Sequence, residues 1–313
     1  MKKATRLNRW WAAAFLLPAL LLGRTAQADF IPYENVTATQ QSMTLAGYTR
    51  NVVILKPTSG TTGKVPALIW LDYRGGDPID FADLSNVGRL VRDQGVWVII
   101  PEAGQQQKLF GSEQDWNYEQ KSQYNNDVAF LNALVAQVIA NDPVDPKRIF
   151  MGGYSSGGGM TETMICANPG QLAGAAVVGA KLTDGMADNC KGSVGVPLIM
   201  FAGTADGSSK YNSQLGALSV PQSAQTLAQM SGCSTTPTTT TIPNTINDNT
   251  GTTVSLGVYG NCSSYGGVSL YTINNGGHTW PGTLDYTPPL GLTTQQIDAT
   301  TLIWQFFSPL SRP

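Results

Sequence analysis

Histidine is all but missing from this chain: His278 is the only one among 313 residues. A metal centre built from several imidazoles is therefore ruled out by supply, and a serine activated by an imidazole has one candidate partner. Cysteine is scarce too. Cys166, Cys190, Cys233 and Cys262 are the full set, with no C-x-x-C pair, which argues against a zinc site. Charge is thin, at 13% of residues, while Gly, Thr, Ser and Asn are abundant. No internal repeat is present. Nucleotide-binding loops are also lacking. In Thr58–Lys64 a threonine stands where the first glycine of a P-loop belongs, and Val65 replaces its Ser/Thr. No G-x-G-x-x-G can be laid over residues 152–159.

The chain does have a start that reads as a secretory signal. Lys2, Lys3, Arg6 and Arg9 precede an apolar run over 10–22, and Ala26-Gln27-Ala28 supplies a small-residue cleavage pattern. The run is too short for a convincing membrane span, although a retained anchor is the alternative. Removing 1–28 takes away five of 19 basic residues and no acidic one. The remaining 29–313 has 14 basic and 21 acidic residues, a formal charge of −7. Such a chain suits neither nucleic acid nor an anionic membrane surface. Export to an oxidising compartment, extracellular or periplasmic, suggests two disulfides among the four cysteines, and three pairings are open.

Short apolar runs recur at Asn51–Leu55, Ala67–Leu71, Val96–Ile100, Ile149–Met151, Ala175–Val178, Leu198–Phe201 and Ser269–Ile273. They lack polar alternation, as expected of strands buried on both faces. Helical patterns lie between them. In 126–140, Val128, Leu131, Val135, Val138 and Ile139 share a face, with Asn125 or Asn126 as N-cap. The pattern predicts an α/β fold, a mostly parallel sheet with helices on both faces, in a single domain over 29–313. A closing helix is expected over Thr293–Phe307, with Ile297, Leu302, Ile303 and Phe306 inward. The Thr/Asn-rich stretch 234–254 has little to bury and reads as a surface insertion.

Gly153-Tyr154-Ser155-Ser156-Gly157 follows one of these strands and precedes a helix-compatible run. A serine on a tight strand-to-helix turn needs small neighbours, which is the logic of the nucleophile elbow. A Gly-rich turn would look the same in isolation. Chain order adds weight: Asp206 follows a later strand and His278 follows a later one still, in the order Ser, Asp, His. Asp184, Asp188 and Asp285 are rival acids. Ser155 would be the nucleophile, His278 the base and Asp206 its orienting partner.

These residues carry a resemblance to the secreted esterases that include polyhydroxybutyrate depolymerases and feruloyl and acetylxylan esterases. It runs from about residue 50 to 307 through Asn126–Leu131, Val144–Ile149, Gly203–Asp206 and Gly277–Gly282. The resemblance implies an α/β-hydrolase fold, a serine esterase activity without metal or organic cofactor, and the pairing Cys166–Cys190 with Cys233–Cys262. It implies an oxyanion hole made by the N–H of Ser156 and an N–H of loop 72–76, taken as that of Arg74. One departure stands out. The family usually carries His-Gly after the strand matching Ala67–Leu71, and here Asp72-Tyr73 takes its place. Ala202 also stands where relatives often have His. Trp116, Tyr118, Tyr154 and Trp280 are candidate pocket walls. Expected partners are ester substrates, small or oligomeric, with polymer left open, and the chain is expected to be a monomer. With only a few residues after the last helix, no polymer-binding module is expected, which favours soluble or oligomeric esters. A hydrolase scaffold that only binds is the runner-up.

Overall fold

The computed structural model describes residues 33–108, 111–190, 195–284 and 289–313. The signal expected over 1–28 and the rival Asp285 lie outside these residues. Twelve strands are present among them: β1 (Val36–Leu45), β2 (Tyr48–Pro57), β3 (Val65–Leu71), β4 (Trp97–Pro101), β5 (Gln105–Lys108), β6 (Gly111–Gln114), β7 (Val144–Tyr154), β8 (Gly174–Val178), β9 (Leu198–Gly203), β10 (Thr238–Ile242), β11 (Thr253–Tyr259) and β12 (Val268–Asn274). Ten form one sheet in the order β1-β2-β4-β3-β7-β8-β9-β12-β11-β10, and β5 and β6 form a separate hairpin. The six inner strands from β4 to β12 run parallel, and the pairs at each edge are antiparallel.

The inner strands are apolar because both of their faces are covered. In β3, Ala67, Ile69 and Leu71 pack to one side while Leu68 and Trp70 pack to the other. The first side is covered by α3 (Asp127–Asn141), α4 (Ser156–Ala167), α5 (Asp184–Asn189) and α6 (Val220–Gln229). The second is covered by α1 (Pro78–Ser85), α2 (Gly88–Gln94) and α7 (Ala299–Phe307).

Asn126 caps α3, accepting the Ala129 N–H at 3.0 Å. The buried face of α3 is rotated from the one the apolar spacing suggests. Phe130, Leu131, Leu134, Val135 and Val138 are buried with Asp127, while Val128 and Ile139 are only partly so. Asp127 goes inward because it pairs with the buried Arg50 and accepts the Asn117 N–H at 2.6 Å. Helix α7 is shorter than expected, since Asp298 caps it by accepting the Thr301 N–H. Ile303 and Phe307 bury its inner face. The stretch 234–254 does more than decorate the surface. Its threonines form β10, an exposed edge strand paired with β11. Disulfides join Cys166 to Cys190, from the end of α4 to the end of α5, and Cys233 to Cys262, from beyond α6 to beyond β11.

Candidate active site

The carboxyl ends of parallel strands β3, β7, β8, β9 and β12 meet along one edge of the sheet, where α/β folds place their ligands. Strand β7 delivers Ser155, which adopts φ 54° and ψ −120°. A non-glycine residue there costs on the order of 1–3 kcal/mol and needs surroundings that enforce it. The flanking glycines show how. A Cβ on Gly153 would lie 2.3 Å from the Gly157 carbonyl carbon, and one on Gly157 would lie 2.2 Å from the Asp72 carbonyl oxygen. The elbow closes only because both positions lack a side chain.

Ser155 Oγ lies 2.9 Å from His278 Nε2, and His278 Nδ1 lies 2.7 Å from Asp206 Oδ2. With Nδ1 donating to the carboxylate, Nε2 is left to accept from the serine hydroxyl. Asp206 is itself held: its Oδ1 accepts the Ser208 and Ser209 N–H groups at 2.8 and 2.7 Å. Asp206 and His278 are both buried. The rivals Asp184 and Asp188 lie on α5, and Asp206 occupies the imidazole nitrogen they would need.

Ser156 opens α4 and lines the cleft, so its N–H precedes the helical hydrogen-bond ladder and has no acceptor within the helix. Loop 72–76 lies opposite. Its Gly75 N–H donates to the Gln114 carbonyl and its Gly76 N–H to the Tyr73 carbonyl, while Tyr73 and Arg74 line the cleft and Asp72 is buried. Arg74 Nε donates to Asp115 Oδ2 at 2.8 Å.

A cleft of about 460 Å³ opens over Ser155 and His278, with Tyr73, Arg74, Tyr118, Tyr154 and Lys181 among its walls. Tyr118 and Tyr154 thus lie where the sequence suggested. Trp116 and Trp280 do not. Trp116 is buried, and its indole N–H is shared between the Asp72 carbonyl and Asp72 Oδ1, each at 3.0 Å. It braces the loop from below. Burial pushes the Asp72 carboxyl well above the usual carboxylate range, with the Trp116 bond opposing. Trp280 is buried in an aromatic cluster with Trp70 and Phe81 on the far face, and its N–H donates to Thr300 Oγ1. It anchors the His278 loop to α7. Tyr154 reaches the same loop, its hydroxyl donating to the His278 carbonyl. Burial raises the Tyr154 phenol, with the Asp206 charge adding to the rise.

Three contributors escaped the sequence reading. Ser208 and Ser209 act through backbone donors, and the Asp-Gly-Ser-Ser turn after Asp206 was their only signal. Lys181 lies three residues past β8 with no motif to mark it.

Sheet order, elbow and acid–base chain define the α/β-hydrolase fold. No protein-family profile matches the chain. In sequence it is similar to feruloyl esterase B of Piromyces equi, at 28% identity over 239 residues, covering 72% of this chain and 42% of that protein. It is also similar to a probable feruloyl esterase C of Aspergillus clavatus, at 27% over 168 residues, covering 52% of this chain and 54% of the relative. The chain therefore spans about half the length of the curated relatives it matches. Among solved structures, an acetyl xylan esterase from Aspergillus awamori superposes with a TM-score of 0.59 at 16% identity, over 86% of this chain and 99% of that one. An S-formylglutathione hydrolase from Agrobacterium tumefaciens gives 0.50 at 11% identity, over 78% and 87%. The chain thus has the α/β-hydrolase fold and is similar in sequence to feruloyl esterases.

Proposed function

We propose that the chain is an exported carboxylic ester hydrolase working through Ser155, His278 and Asp206, with residues 29–313 forming its catalytic domain. The observation that carries this is the unbroken hydrogen-bonded chain from Asp206 through His278 to Ser155 at the floor of an open cleft. Ser155 Oγ attacks the ester carbonyl as His278 Nε2 takes its proton. The imidazolium formed is stabilised by Asp206 and returns the proton to the leaving alcohol. The acyl-serine is then hydrolysed by water, with the same base activating it. The developing oxyanion is held by the N–H groups of Ser156 and Arg74. Backbone donors survive the replacement of His-Gly by Asp72-Tyr73, provided the loop keeps its shape, and the Trp116–Asp72 brace supplies that.

The curated relatives, named as feruloyl esterases, favour aromatic acyl esters as the substrate type, and Tyr73, Tyr118 and Tyr154 offer flat apolar walls for such groups. The polyester part of the expected family has no support from these relatives. A serine-reactive phosphonate tests the reading. Wild-type protein should be labelled at Ser155, and labelling should slow sharply in His278→Ala. A folded wild-type protein that resists labelling would instead indicate a binding scaffold.

A further inference from the structure

Lys181 is a cation without a carboxylate. It follows β8, the strand between β7, which ends at the nucleophile, and β9, which leads to Asp206. It therefore enters the cleft beside the acid–base chain, and it lines the same cleft as Ser155 and His278. The residue is only 8% exposed. An ammonium has three hydrogens to donate. One goes to the Asn212 carbonyl at 2.7 Å. Among the described residues no carboxylate lies within ion-pair distance of it. Asp206 is near enough for its charge to favour the ammonium, but its oxygens are already engaged by His278, Ser208 and Ser209. Lys210 adds positive charge nearby.

Buried lysines are rare unless paired, because removing an ammonium from water is costly. Burial indeed pulls this lysine below its ordinary range. Arg74, the other cation lining the cleft, differs in that its charge is balanced within the protein by Asp115, to which its Nε donates at 2.8 Å. A bound anion would supply what the protein withholds: a charged acceptor for the two remaining hydrogens.

We propose that the cleft selects esters that carry a carboxylate, and that Lys181 is the residue that reads it. The proposal rests on the esterase reading above and narrows it to the monoanionic members of that substrate class. Lys181 is a specificity residue here, distinct from the groups that move protons.

Two matched ester pairs test it. Mono-p-nitrophenyl adipate and its methyl ester place the charge on the acyl side. Para-acetoxybenzoate and para-acetoxybenzamide place it on the alcohol side. The readout is the ratio of kcat/KM for the charged over the neutral member, measured in wild type, Lys181→Met and Lys181→Arg. A charge-assisted hydrogen bond predicts that in one pair this ratio falls about tenfold to a hundredfold in Lys181→Met, mainly through KM. Lys181→Arg should keep most of it. Calorimetric binding of the same pairs to Ser155→Ala reads the preference without turnover. If neither the charged nor the neutral member of either pair shows Ser155-dependent turnover, the esterase reading fails, and binding alone then decides the carboxylate site. Ratios that do not move between wild type and Lys181→Met in either pair, with no charge preference in binding, would overturn the proposal.

Discussion

Ser155 holds a backbone conformation that its neighbours impose, and the space for this comes from two missing side chains. Gly157→Ala would push a methyl group into the Asp72 carbonyl, 2.2 Å away. Both atoms belong to backbone, so neither can rotate aside. The expected result is a loss of about 1–3 kcal/mol in denaturant unfolding and a drop in turnover as the elbow and loop 72–76 separate. Asp206→Asn should leave the fold intact and lower turnover by about 10⁴-fold, because the amide no longer fixes the imidazole tautomer; steady-state kinetics beside a circular-dichroism spectrum checks both halves. The serine, histidine and aspartate were legible in sequence because their chemistry forces recognisable neighbours: glycines around the serine, a Gly-Thr-Ala-Asp turn, a Gly-rich loop around the only histidine. The tryptophans misled. Trp116 and Trp280 lie near the site in sequence, but each indole N–H finds a buried acceptor, so both became struts beneath the cleft. A side chain's direction depends on partners distant in sequence, which spacing does not encode.

Elements differ in how openly they announce themselves. The inner strands are apolar on both faces, and six of the seven runs picked from sequence fall on them, with Val96 just before the start of β4; the seventh, Asn51–Leu55, falls on β2. Edge strands are half solvated and carry no apolar run: β1 with its Thr-Gln-Gln-Ser stretch was not picked out, and β10 with its threonines was read as part of a surface insertion. The rotation of α3 has a similar origin. Its buried face includes Asp127, which no hydrophobic pattern would place inward, and which is there to meet Arg50. Arg50 also stacks over Phe130. Removing one charge of such a pair leaves the other stranded. Asp127→Asn should therefore cost about 3–5 kcal/mol in chemical denaturation. The double change Arg50→Met with Asp127→Leu should recover a large part of that loss, and a double variant no better than the single one would show that the pair is not the cause.

Across the whole molecule, buried carboxyls make stability depend on pH, and Glu162 and Asp72 are the most strongly raised of them. Glu162 on α4 is fully buried and neither of its oxygens has a partner among the described residues. Burial raises it well above the usual range, as it does Asp72. An acid raised in the folded state binds its proton more tightly there than in the unfolded chain. Stability from this source is greatest below the unfolded value, about 4.3 for glutamate, and declines by about 1.4 kcal/mol per pH unit until the folded value is passed. Glu162→Gln should therefore raise Tm at neutral pH and leave it little changed near pH 4. Equal shifts at both pH values would remove the titration as the cause. The site, by contrast, depends on chain segments more than a hundred residues apart being brought to one sheet edge, and its central claim is chemical. The most direct measurement is hydrolysis of p-nitrophenyl acetate and of a feruloyl ester by purified residues 29–313, beside Ser155→Ala. The account predicts clear turnover that disappears with the hydroxyl while the fold is kept. Equal rates from the two folded proteins would contradict it.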